Sequence, residues 1–356
     1  MATADDMLVL DRAMIERCLA DVDVLAVVEH CLRAHHRRLT VLPDEGYLAW
    51  TNALGAYSRS VAMHGAVREP GRDLFGLKVI NAATSNPESG LDRAGGFAFL
   101  FDAETARPRL MAEAGSLSAL RTAAYTAVSL RYLGPAEPDC VSVLGCGALA
   151  RMHLLVLEAA LPSLTTACVY DVVPERATRL AGWAASAVPR LRVEVAPDPQ
   201  ACVARSAVLI TVTVSAVPYL PPSWFSRPAF IAHVSLDDLL PETFAAASAI
   251  FVDDEDMVAA NPRRILGRLI DEGTVQRSAS PATPRVTGSL GQVIEGEVAA
   301  VRPGGGHVIS NPFGLAILDV AVLAAVADAA GHLGEGVHLN LVDGLPAQWL
   351  AADHRL

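Results

Sequence analysis

After Pro138 the chain settles into a rhythm of short apolar strands and amphipathic helices, and its first strand-to-helix turn reads Gly145-Cys146-Gly147-Ala148-Leu149-Ala150. The loop follows the apolar run Val141-Ser142-Val143-Leu144 and opens a helix expected over Ala148 to Ala160. Few folds accept that order. The first glycine permits the tight turn, the second lets a ligand approach the backbone, and the small Ala150 allows helix and strand to pack closely. Further strands are expected at 166–171, 191–195, 208–213, 229–234 and 249–252, with helices at 174–188 and 199–204 between them. Strands alternating with helices predict a parallel sheet covered on both faces.

The residues ahead of this segment have another texture. Apolar positions recur at helical spacing from Asp11 to about Arg38. Strands are then expected at Tyr47–Trp50, Ser60–Met63, around Lys78 and over Gly95–Asp102, the last pairing with Arg109–Glu113. A helix begins near Ser116, with Ser116 or Ser118 as N-cap, and ends at Gly134-Pro135; a last helix spans Ala316 to Ala330. The expected class is therefore α/β: a Rossmann-type doubly wound parallel sheet with a second α+β domain. The predicted division puts residues 126–315 in the doubly wound domain, and 1–125 with 316–356 in the other.

Bulk properties narrow the function. A length of 356 fits two domains, and 52% hydrophobic with 19% charged residues supports large cores. A net charge of -11 argues against nucleic acid or an anionic membrane surface as a partner. The six cysteines (Cys18, Cys31, Cys140, Cys146, Cys168, Cys202) lie scattered in apolar contexts without close pairs, which predicts reduced thiols in a cytoplasmic protein and no metal site. The acidic start carries no signal-peptide pattern, and no apolar run reads as transmembrane.

The glycine loop sits where a pyrophosphate would meet a helix N-terminus, and Asp171 ends the next expected strand, 26 residues after Gly145. A carboxylate there binds both ribose hydroxyls and repels a 2′-phosphate, and Val172-Val173 brings no adjacent arginine. NAD is favoured over NADP. Cys146 reads as a small filler within the loop.

Lysine occurs once, at position 78; the other 27 of the 28 basic residues are arginine. Lys78 stands in the apolar run Leu74–Ile80, so it either snorkels to water or has a partner or a task. Arg121, among small residues early in its helix, suits bidentate capture of a carboxylate or an interdomain salt bridge. Asp237-Asp238 follows a strand at its C-terminal end, where ligands bind in parallel sheets; the pair supplies a general base or caps the helix before Pro241. His64, His153 and His233 read as packing or hydrogen-bonding histidines, and Asp253-Asp254-Glu255-Asp256 as a solvated acidic loop.

Taken in order, Lys78, Phe101–Thr105, Ala119–Ala124, Gly145–Ala150 and Gly314–Asp319 resemble the ornithine cyclodeaminase/mu-crystallin family over nearly the whole chain. Val212–Tyr219, Val234–Asp238, Phe251–Asp254 and Asn311–Gly314 bring the likeness nearest to the dehydrogenases of 2,3-diaminopropionate biosynthesis. These oxidise N-(2-amino-2-carboxyethyl)-L-glutamate with NAD to an imine, which is hydrolysed to diaminopropionate and 2-oxoglutarate. The resemblance implies a homodimer built through the substrate domain, with Lys78, Arg121 and Met63 around the amino-acid substrate. It implies Asp238, or Asp237 by a one-residue shift, as the catalytic aspartate. It adds Thr122, Thr213 and Ser235 to the residues lining NAD. Related activities are a cyclodeaminase that recycles its NAD, an imine reductase, and a mu-crystallin-like protein that binds NAD and a small ligand without turnover. Two positions depart from the pattern: Ala49 and Glu45 stand where relatives carry basic residues, and Arg59 is a cation that could substitute.

Overall fold

Apolar positions that alternate in the first hundred residues, and run unbroken after residue 139, become two different eight-stranded sheets. The computed structural model describes residues 6–235 and 237–340, and within them the chain divides into two compact units. One unit takes the described residues up to Asp23, Thr40–Leu117 and those from Asp319 onward. The other takes Val24–Leu39 and Ser118–Leu318.

The first unit holds β1 (Asp6–Leu10), β2 (Thr40–Val41), β3 (Gly46–Thr51), β4 (Tyr57–Glu69), β5 (Arg72–Ala83), β6 (Ala94–Phe101), β7 (Pro108–Glu113) and a closing strand, Val337–Asn340. The order runs closing strand, β1, β7, β6, β5, β4, β2, with β3 also on β4. All pairs are antiparallel except β1 with β7. The helix Ala316–Leu333 packs on this sheet from Asp319 onward. A Cβ on Gly76 would come within 2.8 Å of Val320 Cγ2 and 2.6 Å of Phe99 O, so glycine is what lets helix and sheet approach there. That helix is long and apolar enough to cross a membrane by length and composition, yet 67% of it is buried inside the protein, as in a core helix.

The second unit holds β8 (Cys140–Leu144), β9 (Thr166–Tyr170), β10 (Arg192–Val195), β11 (Val208–Thr211), β12 (Phe230–His233), β13 (Ala247–Val252), β14 (Gly288–Ser289) and β15 (His307–Ser310). Their order is β10-β9-β8-β11-β12-β15-β13-β14, all parallel. Every residue of β8, β11 and β12 is buried, as expected where helices cover both faces. Strand order reverses between β8 and β11, which sets the ligand crevice at their C-terminal ends. The expected doubly wound sheet and its α+β companion are both present.

Some local expectations hold and others change. The stretch from Asp11 to Arg38, expected as one or two helices, forms two, Arg12–Cys18 and Val24–His36. The latter clusters with the second unit rather than the first, because it packs on the helix Leu290–Glu295, where Gly291 approaches Leu32 O. The helix expected to start at Ser116 or Ser118 begins at Ala114 instead. Glu113 takes the capping role, its carboxylate accepting from the N–H groups of Gly115 (2.6 Å) and Ser116 (3.0 Å).

Candidate active site

The turn after β8 is held by geometry that only its sequence allows. Gly145 has φ +93°, and a Cβ there would lie 2.7 Å from Val212 O, at the end of β11. Gly147 is the N-cap of Ala148–Ala160, has no side-chain cap, and a Cβ on it would meet nothing within 4 Å. The helix therefore points uncapped N–H groups into open space, which suits a diphosphate. Ala150 is fully buried against the strand. Asp171 stands just past β9, its Oδ2 accepting from Cys146 N–H at 2.8 Å and its Oδ1 from Val173 N–H at 2.9 Å. The helix beginning at Pro174 brings Arg176 within 4.0 Å of the same carboxylate, a neighbour that the reading of Val172-Val173 did not supply. The Cys146 thiol is pushed up to about 12 by burial and then by Asp171, so it stays a neutral filler.

At the other side of the switch point, Asp238 is fully buried in a cage of hydroxyls. Thr213 Oγ1 donates to it at 2.5 Å, Tyr219 OH at 3.1 Å, and Ser235 Oγ makes a further short bond. Burial and the neighbouring carboxylate drive the Tyr219 phenol far above its ordinary value, which keeps it a donor. His233 Nδ1 lies 2.6 Å from Asn311 Oδ1, and its Nε2 accepts from the Asp238 N–H at 3.2 Å. That arrangement requires neutral imidazole, and burial lowers the His233 pKa accordingly. Asp237 faces elsewhere, with Arg268 Nη2 at 2.5 Å. Neither aspartate caps Pro241–Ala245, whose N-cap is Leu240. Thr122, one turn into the second unit, donates to Ser118 O at 2.6 Å.

Arg121 is 8% exposed and lies against Gly314: a Cβ on that glycine would come 3.2 Å from Arg121 Nη1. Gly314 N–H and Phe313 N–H donate to Asp253 at 2.7 and 2.6 Å. Asp253 is 2% exposed, and burial raises its pKa despite those bonds. Its run is thus not a solvated acidic loop. Asp254 caps the next helix at Met257 N–H and pairs with His35 at 2.9 Å, while Glu255 binds Arg277 and Ser278. Only Asp256 of the four lies open to solvent. The remaining histidines are structural or peripheral: His153 donates to Leu149 O and meets Thr126 Oγ1, and His64 sits on β4.

In the first unit Lys78 is 4% exposed and does not snorkel. Its Nζ lies 2.7 Å from Asp319 Oδ2, itself 2% exposed on the helix Ala316–Leu333. An ammonium in an apolar sheet persists only with such a counter-charge. Met63 is its direct cross-strand partner. So Lys78 and Met63 are neighbours in one unit, while Arg121, the glycine loop, Asp171 and the Asp238 cage belong to the other. The sequence reading singles out neither Asp319 nor Tyr219, and it places Asp253 in a solvated loop. One signal was present: Asp319 is the one charged residue of the apolar run Ala316–Ala327, as Lys78 is of the apolar run Leu74–Ile80.

Comparisons with known proteins agree with this construction. The model of the ornithine cyclodeaminase/mu-crystallin family matches residues 61–334. The chain is 27% identical over 341 residues to N-((2S)-2-amino-2-carboxyethyl)-L-glutamate dehydrogenase of Staphylococcus aureus, covering 94% of this chain and 99% of that one. The crystal structure of CmnK is 48% identical, with a TM-score of 0.90 over 96% of this chain and 100% of that chain. The Thermococcus litoralis Δ1-pyrroline-2-carboxylate reductase, solved with NADH and L-proline, is 20% identical and shares the fold, with a TM-score of 0.84 over 94% of this chain and 100% of that one. A motif set placed on the two expected sheets and a family match across most of its length lead to one statement: the chain belongs to the ornithine cyclodeaminase/mu-crystallin family.

Proposed function

We propose that this protein is an NAD-dependent oxidoreductase acting on the C–N bond of an N-substituted amino acid, with N-(2-amino-2-carboxyethyl)-L-glutamate as its substrate. The observation that carries the reading is the uncapped helix behind Gly147, flanked by the Asp171 carboxylate. Residues 145–150 would hold the diphosphate, Asp171 the ribose hydroxyls, and Thr122, Thr213 and Ser235 the remainder of the dinucleotide. Bound NAD would supply the hydride acceptor.

The chain's own residues do the rest. Lys78 and Arg121 hold the amino-acid carboxylate, and Met63 lines the apolar part of the pocket. When the Cα–H leaves as hydride and the amine gives up its proton, a C=N bond forms. Water then adds to the imine carbon, and cleavage of the C–N bond yields a 2-oxo acid and a free amine. Asp238 takes the proton from the amine or the water. It is fully buried, so the proton reaches it through the hydroxyls of Thr213, Ser235 or Tyr219. The full-length likeness to the Staphylococcus aureus dehydrogenase supports this choice of substrate.

The protein is a homodimer in the same proposal. Leu48 and Trp50 on β3 and Phe97 on β6 point from one face of the first sheet and are 64%, 45% and 52% exposed, a patch suited to a second copy.

The test is a screen of amino acids and N-carboxyalkyl amino acids with NAD, following NADH absorbance. Net NADH formation is expected; a cyclodeaminase that recycles its cofactor gives none, and a ligand-binding protein gives no product. Lys78→Ala and Arg121→Ala should abolish turnover while NADH binding persists. Oxidation by both variants at the parent rate would remove the site assignment.

A further inference from the structure

The sheet of the first unit carries two further cations at one end, Arg59 on the Lys78 face and Arg93 just ahead of β6. Paired residues of antiparallel strands, and alternate residues along each strand, share a face. Met63 pairs with Lys78, Val61 with Ile80 and Arg59 with Ala82, so Arg59 rises from the same face as Lys78. Its other cross-strand partner is Ala49, and beyond Ala82 lies Ala94, leaving the arginine above a floor of methyl groups. Tyr47 and Tyr57 stand on that face too, their hydroxyls bonded to each other. Arg93 immediately precedes Ala94 and is fixed by the bond from Ala83 N–H to its carbonyl, at the same end of the sheet as Arg59.

Among the described residues, neither guanidinium makes a hydrogen bond or ion pair, and Arg59 Nε is buried without a partner. The nearby carboxylates are engaged elsewhere: Arg12 holds Asp92 at 3.1 Å and lies 3.5 Å from Glu113, which also caps the following helix. Arg93 is held below the usual arginine range, first by burial and then by repulsion from Arg59. Two like charges with an orphaned buried N–H are unfavourable by themselves, and a bound carboxylate relieves both problems by pairing with a planar fork.

We infer that Arg59 and Arg93 form a specificity site for a second carboxylate of the substrate, remote from the one held by Lys78. Arg59 and Met63 stand four positions apart on β4, or about 13 Å between backbones, a gap that two long side chains narrow to the span of a dicarboxylate. The site replaces, from the neighbouring strand, the cation missing at Ala49. This inference rests on the substrate reading above only in naming the molecule; the dicarboxylate chemistry stands on the sheet.

The experiment is calorimetric titration of the full chain with NADH present. The ligands are N-(2-amino-2-carboxyethyl)-L-glutamate, its side-chain carboxamide analogue, glutarate and inorganic phosphate. Arg59→Gln and Arg93→Gln should each weaken the carboxylate ligands roughly 10- to 100-fold, the range for a lost charge-assisted hydrogen bond. The carboxamide analogue should bind both variants as it binds the parent, and Arg59→Lys should recover part of the loss. Equal weakening of carboxylate and carboxamide ligands would show a structural role and overturn the inference. So would phosphate matching glutarate, which would mark an unselective anion site. Should the parent bind glutarate in an Arg59-dependent way but not the N-substituted glutamate, the substrate reading fails and this site stands. Absence of glutarate binding to the parent overturns the site.

Discussion

The buried pair between Lys78 and Asp319 gives the sharpest quantitative expectation. Both side chains are almost fully removed from water, at 4% and 2% exposure, and their atoms lie 2.7 Å apart. Replacing Asp319 by Leu strands an ammonium in an apolar sheet, which costs about 3–5 kcal/mol. At roughly 2–4 °C per kcal/mol for units of this size, the thermal midpoint should fall by about 6–20 °C. Lys78→Met strands the carboxylate instead and should destabilise to a similar degree. The double variant Lys78→Met/Asp319→Leu removes both charges and should unfold within about 1 kcal/mol of the parent, since well-packed apolar replacements of buried pairs are often neutral. Scanning calorimetry of the parent, both singles and the double closes the cycle. In Asp319→Leu the folded state disfavours the lysine proton, so the unfolded state binds more protons and stability should recover as pH rises towards about 10. A double variant as unstable as the sum of the singles would refute the buried pair.

Other expectations follow from the second unit. Burial lowers the His153 pKa from 6.5 to about 4. The unfolded state therefore takes up the proton first, and roughly 3 kcal/mol of stability present above pH 6.5 is lost as pH falls through that window to 4. Urea unfolding across that range should show a flatter acid limb for His153→Leu, and an identical slope would contradict the burial argument. Asp171→Ser removes a carboxylate and should weaken NADH roughly 10- to 100-fold by fluorescence titration, with NADPH weakened less because repulsion of its 2′-phosphate is relieved. Gly145→Ala forces a methyl group towards Val212 O at an unfavourable φ, so NADH binding should fall sharply while a Gly182→Ala control retains it. Trp50→Glu should shift the species seen by sedimentation from dimer to monomer; an unchanged dimer would place the interface elsewhere.

Much of the second unit could be read directly, because parallel strands buried on both faces leave continuous apolar runs and the glycine loop fixes where the first of them ends. What sequence reading missed is non-local. β15 lies between β12 and β13 in the sheet although some fifty residues separate it from β13 in the chain, and four residues at 307–310 carry little periodicity of their own. β1 was likewise invisible, since its pairing with β7 and Val337–Asn340 is decided by distant segments. At the candidate site, Lys78 and Asp238 stood out as residue types in context, whereas the hydroxyl cage around Asp238 depends on the loop between Thr213 and Tyr219 folding back. Asp253 was misread because four acids in a row resemble a solvated turn; only the backbone N–H groups of Phe313 and Gly314 explain why the first of them is buried.

The partners Lys78 and Asp319 are 241 residues apart, and this spacing bears on how the protein is made. During synthesis the lysine leaves the ribosome long before its counter-ion, with most of the second unit emerging in between. The second unit, whose main segment is contiguous, can close while the first sheet still carries an unneutralised cation. Completion of the first sheet is thus a late event, timed by the arrival of a helix near the end of the described chain.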